Sequence, residues 1–377
     1  MDKLRFQTAL INWFQRHKRD LPWRHTKDPY KIWLSEIMLQ QTQVATVIPY
    51  YQRWLEKFPT LQSVADASED KILKTWEGLG YYSRARNFHS ACKEAISKYD
   101  GKVPEDIEEI QQLPGIGRYT AGAILSIAFN KPVPLVDGNV IRVLSRLFAI
   151  KKDPRRFQVL FWEQAEKLLF KKEPGTFNQA LMELGATVCT PTNPSCLICP
   201  VNSFCLAKKQ GIQEQLPLSP KRAKTQIVHL ASALIRQNGK ILLCQRKQPG
   251  HLKGMWEPPT VSFIPKKESA QRKIEDFINQ WGAIEINTEE KPDVLKTSRT
   301  HYRLHFSAFR ANIRGQSPSG TVPKIDSRTT NDERRATVLG YPTDLSSAEW
   351  IPRKDLASLP MPGAWAKFFK AELKGAK

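Results

Sequence analysis

Long apolar runs are absent from this chain of 377 residues. The longest candidate, Ala121 to Phe129, falls well short of the ~18 residues that a membrane span needs, and it contains Gly122 and Ser126. The N-terminal segment alternates apolar with charged residues and lacks the unbroken apolar stretch of a secretory signal peptide. These absences argue against a membrane or secreted protein. We expect a soluble cytoplasmic protein, which in a bacterium would lie in the cytosol or be associated with the nucleoid.

Cysteine is scarce, and its distribution is uneven. Of the six cysteines, Cys92 and Cys244 stand alone and are predicted to be small buried core residues. The other four form a C-x6-C-x2-C-x5-C pattern: Cys189, Cys196, Cys199 and Cys205. Because a disulfide framework is typical of secreted chains, this close spacing indicates a metal centre held by thiolates. The spacing alone is compatible with either zinc or an iron-sulfur cluster.

Acidic residues are outnumbered by basic ones, 37 against 58, which gives a formal net charge of +21. Residues 201–250 contain nine basic residues and one acidic residue, so the excess is densest there. The charge favours a polyanionic partner such as nucleic acid, although a lysine-rich solvated surface is the alternative. Since 41% of the residues are hydrophobic and ten are tryptophan, a wholly disordered chain is excluded.

Hydrophobic periodicity divides the chain into two domains. Residues 1–210 show helical spacing throughout, 211–225 form a basic, proline-containing linker, and 226–377 mix short alternating strands with a helix. The second domain is therefore predicted to be α/β. Its segment from Ser317 to Ala336 is predicted to be a loop, because it is poor in apolar residues.

Two helix starts stand out in the first domain. Asp28 followed by Pro29 predicts an N-cap and a helix from Tyr30 to Val44. Glu105 and Asp106 give a second helix an acidic start that complements its dipole.

The segment from Leu113 to Gly122 indicates a helix-hairpin-helix, within about residues 105–129. Gly115 and Gly117 allow a tight turn, so that main-chain N–H groups at the start of the second helix can point at a phosphate. An ordinary turn between helices is the alternative.

Two acidic residues are candidates for chemistry. Glu36 lies among large apolar residues, and desolvation would raise its pKa towards the range of a general acid. Asp137 precedes a helix that carries Arg142 and Arg146. Each acid also has a structural interpretation, since Glu36 could be a buried residue bonded to backbone and Asp137 could be only an N-cap.

Two further segments could contact bases. Leu39 to Gln43 places a polar block after Glu36, and Gly78 to Tyr82 is a glycine-flanked loop with aromatic residues. Such side chains can wedge into base stacks, although loop tyrosines could equally pack on the surface.

Taken together, these segments resemble the helix-hairpin-helix DNA glycosylases and, within them, the adenine DNA glycosylase family. The resemblance rests on the cysteine pattern and on four segments in the order and spacing of that family: WLSEIMLQQTQVATVIPYY (33–51), GLGYYSRARN (78–87), LPGIGRYTAGAI (113–124) and PLVDGNVIRVLSR (134–146). It implies an all-α glycosylase domain with one 4Fe-4S cluster on the cysteine loop at 189–205, followed by a Nudix-like (MutT-like) α/β domain. It also implies excision of adenine opposite 8-oxoguanine or guanine in double-stranded DNA.

The resemblance assigns roles to particular positions. Glu36 is expected to protonate the adenine and Asp137 to stabilise the cationic sugar, while Asn139 orients the site. Six residues are expected to form the adenine pocket: Arg19, Trp23, Arg24, Leu39, Gln179 and Met182. Further residues are expected to contact DNA: Gln41, Thr42, Leu79, Tyr81, Gly115, Gly117 and Thr120.

Tyr119 distinguishes two branches of these enzymes. Relatives that also cut the strand place a lysine two residues after the second hairpin glycine, where it forms a Schiff base with the sugar. A phenol cannot form an imine, so the sequence predicts a monofunctional glycosylase in which Tyr119 contacts the sugar or the carboxylates.

The C-terminal domain departs from its relatives. A working Nudix hydrolase needs a glutamate-rich box, and this chain offers only Arg272 to Asp276, so no pyrophosphatase activity is expected. The lesion-sensing Phe-Ser-His loop of the family aligns with Arg299, Thr300 and His301, and we expect Thr300 and His301 to retain the sensing role.

We therefore expect a monomeric adenine glycosylase that grips duplex DNA, with a linker able to dock a repair or replication partner. Two alternatives stay open: a thymine-mismatch or endonuclease III-like glycosylase, and a non-catalytic iron-sulfur protein that binds DNA. The segment around Glu36, the absence of the lysine and the added domain weigh against the first alternative. The presence of both acids weighs against the second.

Overall fold

A computed structural model describes residues 2–218, 225–246, 253–279, 285–287, 291–299, 302–314, 343 and 347–374. The chain forms two compact units. The first comprises Met1–Ala67 with Arg86–Arg222, and the second comprises Ser68–Ala85 with Ala223–Lys377. Within the described part, no helix is both long and apolar enough to cross a membrane.

The first unit is built from helices. In chain order they are α1 (Lys3–His17), α2 (Pro29–Leu39), α3 (Val44–Lys57), α4 (Leu61–Ala65), α6 (Ser83–Lys98), α7 (Ile107–Gln112), α8 (Arg118–Ile127), α9 (Gly138–Leu147), α10 (Gln158–Leu168), α11 (Pro174–Thr187) and α12 (Leu206–Lys209). Its core lies where α1, α8, α9 and α11 meet, and includes Phe6, Leu144 and Phe177.

Side-chain caps explain where several helices begin. Asp28 accepts hydrogen bonds from the N–H groups of Tyr30 and Lys31, and Asp106 accepts from those of Glu108 and Glu109. Both predicted helix starts are therefore confirmed, because each carboxylate satisfies N–H groups that have no partner within the helix.

The end of α2 was predicted wrongly. The helix ends at Leu39 rather than Val44, and Gln41 takes a positive φ of 55° before α3 begins. Glutamine is a good helix former, so local propensity gives no signal for this break. The break turns Gln40 and Gln41 out of the helix and towards the cavity described below.

Ser68–Ala85, which the sequence reasoning placed in the helical domain, groups with the C-terminal unit. It contains α5 (Glu69–Trp76) and the glycine loop that follows. The Lys74 ammonium donates to the carbonyl of Leu359 at 3.1 Å, and the N–H of Met361 donates to Glu77 at 3.2 Å. These long-range bonds have no local sequence signal.

The second unit is organised around an eight-stranded mixed sheet. Its strands are β1 (Gln226–Gln237), β2 (Lys240–Gln245), β3 (Trp256–Glu257), β4 (Thr260–Phe263), β5 (Glu285–Asn287), β6 (Asp293–Arg299), β7 (Tyr302–Arg314) and β8 (Ala348–Pro352). β1 and β7 are parallel, with Gln226 opposite Tyr302 and Ile235 opposite Ala311, and the remaining pairs are antiparallel.

Helices cover both faces of this sheet. On one face α13 (Ala270–Asn279) packs Ile274 and Ile278 against Ala233 and Phe309. On the other face α14 (Gly363–Lys374) packs Trp365 against Phe306, in the cluster that also holds Leu230. The predicted α/β character of this domain is confirmed. The loop predicted from Ser317 to Ala336 lies outside the described residues, as do Thr300 and His301.

Candidate active site

A cavity of about 390 Å³ opens in the first unit. It brings together twelve residues that the sequence reasoning placed in the active site or on DNA: Arg19, Trp23, Arg24, Glu36, Leu39, Gln41, Thr42, Tyr119, Asp137, Asn139, Gln179 and Met182. These residues come from well-separated parts of the chain. Their convergence makes this cavity the candidate site.

Glu36 lies on α2 and is only 6% exposed. Burial raises the pKa of its carboxyl to about 7 from an ordinary value near 4.5, because an ionised form would lose its hydration. The Tyr119 hydroxyl donates to Oε2 at 2.7 Å and lowers this pKa, while the negative charge of Asp137 raises it and Arg24 lowers it. The carboxyl is therefore poised to exchange a proton near neutral pH.

Asp137 is the N-cap of α9 and also faces the cavity. Its Oδ1 accepts from the N–H of Val140 at 2.7 Å, and its Oδ2 accepts from the Asn139 amide at 2.9 Å. Burial raises its pKa, whereas these hydrogen bonds oppose the rise. Asp137 therefore caps α9 and lines the cavity at the same time, so its role as an N-cap does not rule out a chemical role.

Tyr119 lies on α8 and lines the cavity together with the two acids. Besides bonding Glu36, its hydroxyl lies 3.5 Å from the sulfur of Met182. Burial and the neighbouring carboxylates raise the pKa of this phenol well above its usual value. Tyr119 therefore stays protonated and acts as a hydrogen-bond donor.

Glu183 was missed by the sequence reasoning. Its side chain is 1% exposed, and it accepts hydrogen bonds from Arg19 at Oε1 and from Arg24 at Oε2, both at 2.8 Å. Burial raises the pKa of Glu183, but the bonds from the two arginines outweigh it and bring the pKa to about 2. An ionised carboxylate therefore organises two of the predicted pocket residues.

Arg142 was assigned no role from the sequence, and it joins two parts of the site. Its guanidinium donates to Oδ1 of Asn139 at 2.8 Å, to the carbonyl of Gly185 at 2.6 Å and to the carbonyl of Cys189 at 2.7 Å. Arg142 thus links the carbonyl of Cys189, in the cysteine loop, to Asn139, whose amide donates to Asp137.

The hairpin between α7 and α8 has the geometry that the glycines indicated. Gly115 has a φ of 81°, and a Cβ there would lie 2.8 Å from the Cβ of Asn87. Gly117 precedes α8 and has no side-chain cap, which leaves main-chain N–H groups at the start of the helix for an anion. Thr120 is 2% exposed, and its hydroxyl accepts from Gln40 at 3.5 Å. Thr120 therefore faces the protein interior.

The predicted wedge loop belongs to the second unit. Tyr81 has a φ of 48°, between Gly80 with a φ of 75° and the start of α6. Arg84 donates to the carbonyl of Leu79 at 3.2 Å and lies 5.5 Å from the centre of the Tyr81 ring. Leu79 is 6% exposed.

The four clustered cysteines are partly buried and close together. Burial is the main cause that raises the pKa of Cys199 to about 12, and the other three thiols raise it further. The guanidinium of Arg146 donates to the sulfur of Cys189 at 3.3 Å, which suits a centre of negative thiolates. Among the described residues, no three His, Cys, Asp or Glu side chains are arranged so that they could hold a single metal ion. The identity of the centre therefore comes from the comparisons below.

Cys92 and Cys244 are 0% and 1% exposed, which confirms that both are core residues.

Family models match three parts of the chain. Residues 34–167 match the HhH-GPD superfamily of base excision DNA repair proteins, 189–205 match the iron-sulfur binding domain of endonuclease III, and 231–371 match the NUDIX domain. A solved structure of a thermostable thymine-DNA glycosylase superposes with a TM-score of 0.52 at 30% identity, over 55% of this chain and 97% of that chain. The class is therefore a helix-hairpin-helix DNA glycosylase of base excision repair with an added Nudix domain, and its substrate is DNA.

Curated relatives narrow the class further. The adenine DNA glycosylase of Rattus norvegicus is 38% identical, over 89% of this chain and 76% of the relative. The adenine DNA glycosylase of Buchnera aphidicola subsp. Baizongia pistaciae is 45% identical, over 74% of this chain and 82% of the relative. The chain belongs to the adenine DNA glycosylase family.

The cofactor is one 4Fe-4S cluster, held by the four cysteines of the 189–205 loop. Four thiolates suit such a cluster as well as zinc, so it is the match of residues 189–205 to an iron-sulfur binding domain that decides between the two alternatives.

Proposed function

We propose that the protein hydrolyses the N-glycosidic bond of adenine mispaired with 8-oxoguanine, or with guanine, in duplex DNA. The observation that carries the proposal is the pairing of Glu36, with a pKa of about 7, and Asp137 in one cavity of about 390 Å³. A cavity of this size can hold an extruded base, and the names of the curated relatives support adenine as that base.

In the proposed reaction, protonated Glu36 transfers its proton to N7 of adenine. The bond between the sugar carbon and N9 then breaks, and its electron pair leaves with the base, which departs neutral. Ionised Asp137 stabilises the resulting oxocarbenium-like sugar by charge or by a transient covalent bond. Glu36, now a carboxylate, takes a proton from the water that adds to the sugar.

The remaining cavity residues hold the base and the strand. We assign the adenine pocket to Trp23, Arg24 and Leu39, together with Arg19, Gln179 and Met182, which all line the cavity. Asn139 positions Asp137, and Tyr119 holds Glu36. Because Tyr119 stands where a Schiff-base lysine would be needed, we propose that the enzyme does not cut the strand.

DNA contacts outside the cavity follow from the hairpin and the loops. We assign phosphate binding to the N–H groups after Gly115 and Gly117, with Thr120 supporting Gln40 from the interior. Gln41, Thr42, Leu79 and Tyr81 are proposed to contact the mispair and its neighbours.

The C-terminal domain is proposed to recognise the lesion through Thr300 and His301. We propose domain limits of 1–210 and 226–377, except that Ser68–Ala85 groups with the C-terminal unit. The basic linker 211–225 is proposed to be open to a repair or replication partner. The proposed site of action is the compartment that holds the DNA, the cytoplasm of a bacterium.

The test is incubation with three duplexes, which contain adenine opposite 8-oxoguanine, adenine opposite guanine and thymine opposite guanine, followed by alkali. We expect alkali-dependent strand breaks at adenine, fastest opposite 8-oxoguanine, and binding without excision for Glu36→Gln. Breaks confined to the thymine duplex, or none at all, would overturn the proposal. Breaks without alkali would overturn only the absence of strand cutting.

A further inference from the structure

In the second unit, α13 covers one face of the sheet along only part of its length. Its Ile274 packs against Ala233 and Phe309, which lie in the later halves of β1 and β7. Towards the starts of these strands the same face opens, because Ile227 on β1 is 52% exposed and Val294 on β6 is 64% exposed. Large apolar side chains this exposed mark a surface that a ligand can cover.

The pairing register places four side chains in one row across this open area. Phe263 on β4 is opposite His229 on β1. His229 is in turn opposite His305 on β7, which is opposite Lys296 on β6. The ring centres of His229 and His305 are 5.3 Å apart, and those of His229 and Phe263 are 5.8 Å apart. Because register partners point to the same side of a sheet, the row forms one continuous surface.

A second cation lies beside this row. Arg303 precedes His305 by two residues on β7 and is opposite Ile227, so it projects from the same face. Arg303 and Lys296 are both exposed, and neither forms a hydrogen bond or ion pair with another described residue. As far as the four strands are described, they contribute no acidic side chain at these positions. We call this surface the open half-face, and it comprises Ile227, His229, Phe263, Lys296, Arg303 and His305.

The open half-face has a cationic side and a ring side. Its two cations come from β6 and β7, whereas its three rings come from β4, β1 and β7. Burial and the neighbouring His305 lower the pKa of His229, so near neutral pH this ring offers a π-face rather than a charge. Four strands about 4.8 Å apart give a row about 14 Å wide, and ring-bearing sheets of about four strands stack roughly two or three bases.

A nucleic-acid strand whose bases are unpaired has the matching chemistry. Its phosphates run along one edge and the faces of its bases lie along the other, so the cations and the rings can be used together. A duplex turns its base faces inward and would leave the rings without partners. An acidic peptide would engage the cations alone.

We propose that the open half-face binds single-stranded DNA, with phosphates on its two cations and bases against its three rings. The strand is taken to be DNA because the family acts on DNA. The proposal goes beyond the proposed function, which assigns no role to these residues and concerns a base excised in the first unit.

The first test uses the full-length protein with its cluster and a short fluorescein-labelled oligothymidine, whose affinity is followed by anisotropy across salt concentrations at about pH 8, where histidine is neutral. Arg303→Gln and Lys296→Gln should each lower the slope of log affinity against log salt by about 0.7, the value for one phosphate contact on a single strand. His305→Ala removes a ring and should weaken binding about fivefold or more at an unchanged slope. Lys240→Gln, at an exposed lysine where β2 begins, is the control and should change neither quantity. Unmoved slopes in both cation variants would overturn the proposal.

A second test locates the strand on the protein. An oligothymidine that carries one 5-iodouracil is crosslinked by ultraviolet light, and the attached peptide is identified by mass spectrometry. The crosslinks should fall on β1, β4 or β7 and should weaken in His305→Ala. Crosslinks confined to peptides of the first unit would contradict the proposal even if the affinities behaved as expected.

Competitors identify the class of ligand. An oligomer of the same length without bases should compete for the crosslink about fivefold less well than oligothymidine does. Equal competition by that oligomer, by a fully matched duplex or by poly-glutamate would refute the proposal, because none of these presents free base faces. Tighter binding of oligouridine would refute DNA as the ligand.

The outcome is separable from that of the proposed function, because excision of adenine is scored on its own duplexes. A protein that crosslinks as expected and excises nothing would refute only the proposed function. If His305→Ala does not fold, the two cation variants at exposed positions decide.

Discussion

The hydrogen bond from Tyr119 to Glu36 gives a quantitative prediction. Tyr119→Phe removes one hydroxyl and leaves the ring in place, so it removes the 2.7 Å bond that favours ionised Glu36. A hydrogen bond to a charged group contributes about 1.5 to 3 kcal/mol, and one pKa unit corresponds to about 1.36 kcal/mol. The pKa of Glu36 should therefore rise by roughly one to two units from its value of about 7.

The sign of the effect on activity follows from the acid role proposed for Glu36. In the proposed mechanism excision requires protonated Glu36, so activity should be lost as the pH rises through its pKa. At about pH 8 wild-type Glu36 is about one-tenth protonated, whereas in Tyr119→Phe at least about half of it should be. Relative to its own maximum, the variant should thus retain about fivefold more activity there.

Excision from a duplex with adenine opposite 8-oxoguanine, measured in single turnovers across pH, checks this prediction. Tyr99→Phe is the matched control, because it also removes a tyrosine hydroxyl, but from a residue that directly follows α6 and does not line the cavity. An alkaline limb of Tyr119→Phe that coincides with that of the wild type, or lies below it, would refute the reasoning.

Two further predictions concern packing and charge. A Cβ on Gly185 would lie 2.6 Å from the Cβ of Asn139. Gly185→Ala should therefore lower the free energy of unfolding by about 1 to 3 kcal/mol and slow excision by tenfold or more. Gly363→Ala, whose added Cβ would meet open space, should change neither quantity. Urea denaturation and single-turnover rates measure the two effects, and an unimpaired Gly185→Ala would contradict the packing. Because the protein has a net charge of +21, the logarithm of its DNA affinity should fall linearly with the logarithm of the salt concentration, through counterion release. An affinity that does not change with salt in a binding titration would contradict the role given to the basic residues.

Local chemistry made much of the fold predictable. Asp28 and Asp106 cap helices because a carboxylate at that position bonds N–H groups that any helix leaves unsatisfied. In β1 six consecutive residues are buried, because helices cover both faces of the sheet there and leave no exposed side to alternate with a buried one. The break after Leu39 was not predictable, since glutamine favours a helix and nothing in the local sequence signals the positive φ of Gln41.

The candidate site was predictable only in part. Glu36 and Asp137 could be selected because their apolar or helix-capping surroundings are visible in the sequence, and the family resemblance supplied their partners. Glu183 could not, because an acid on an amphipathic helix looks like an ordinary surface charge. Only the fold brings it to Arg19 and Arg24, which lie more than 150 residues away in the chain.

The division of labour between the two acids follows from how their oxygens are used. Both carboxyls are desolvated, which alone would favour the protonated form of each. At Asp137 both oxygens accept hydrogen bonds, from Val140 and Asn139, and these bonds stabilise the ionised form. At Glu36 the hydrogen bond that the described residues make, from Tyr119, engages Oε2, so Oε1 can carry a proton into the cavity. Burial thus raises the pKa of both acids, and hydrogen bonds to both oxygens oppose the rise at Asp137, as its proposed role as the anion requires; exchanging the proposed roles would require breaking the N-cap of α9.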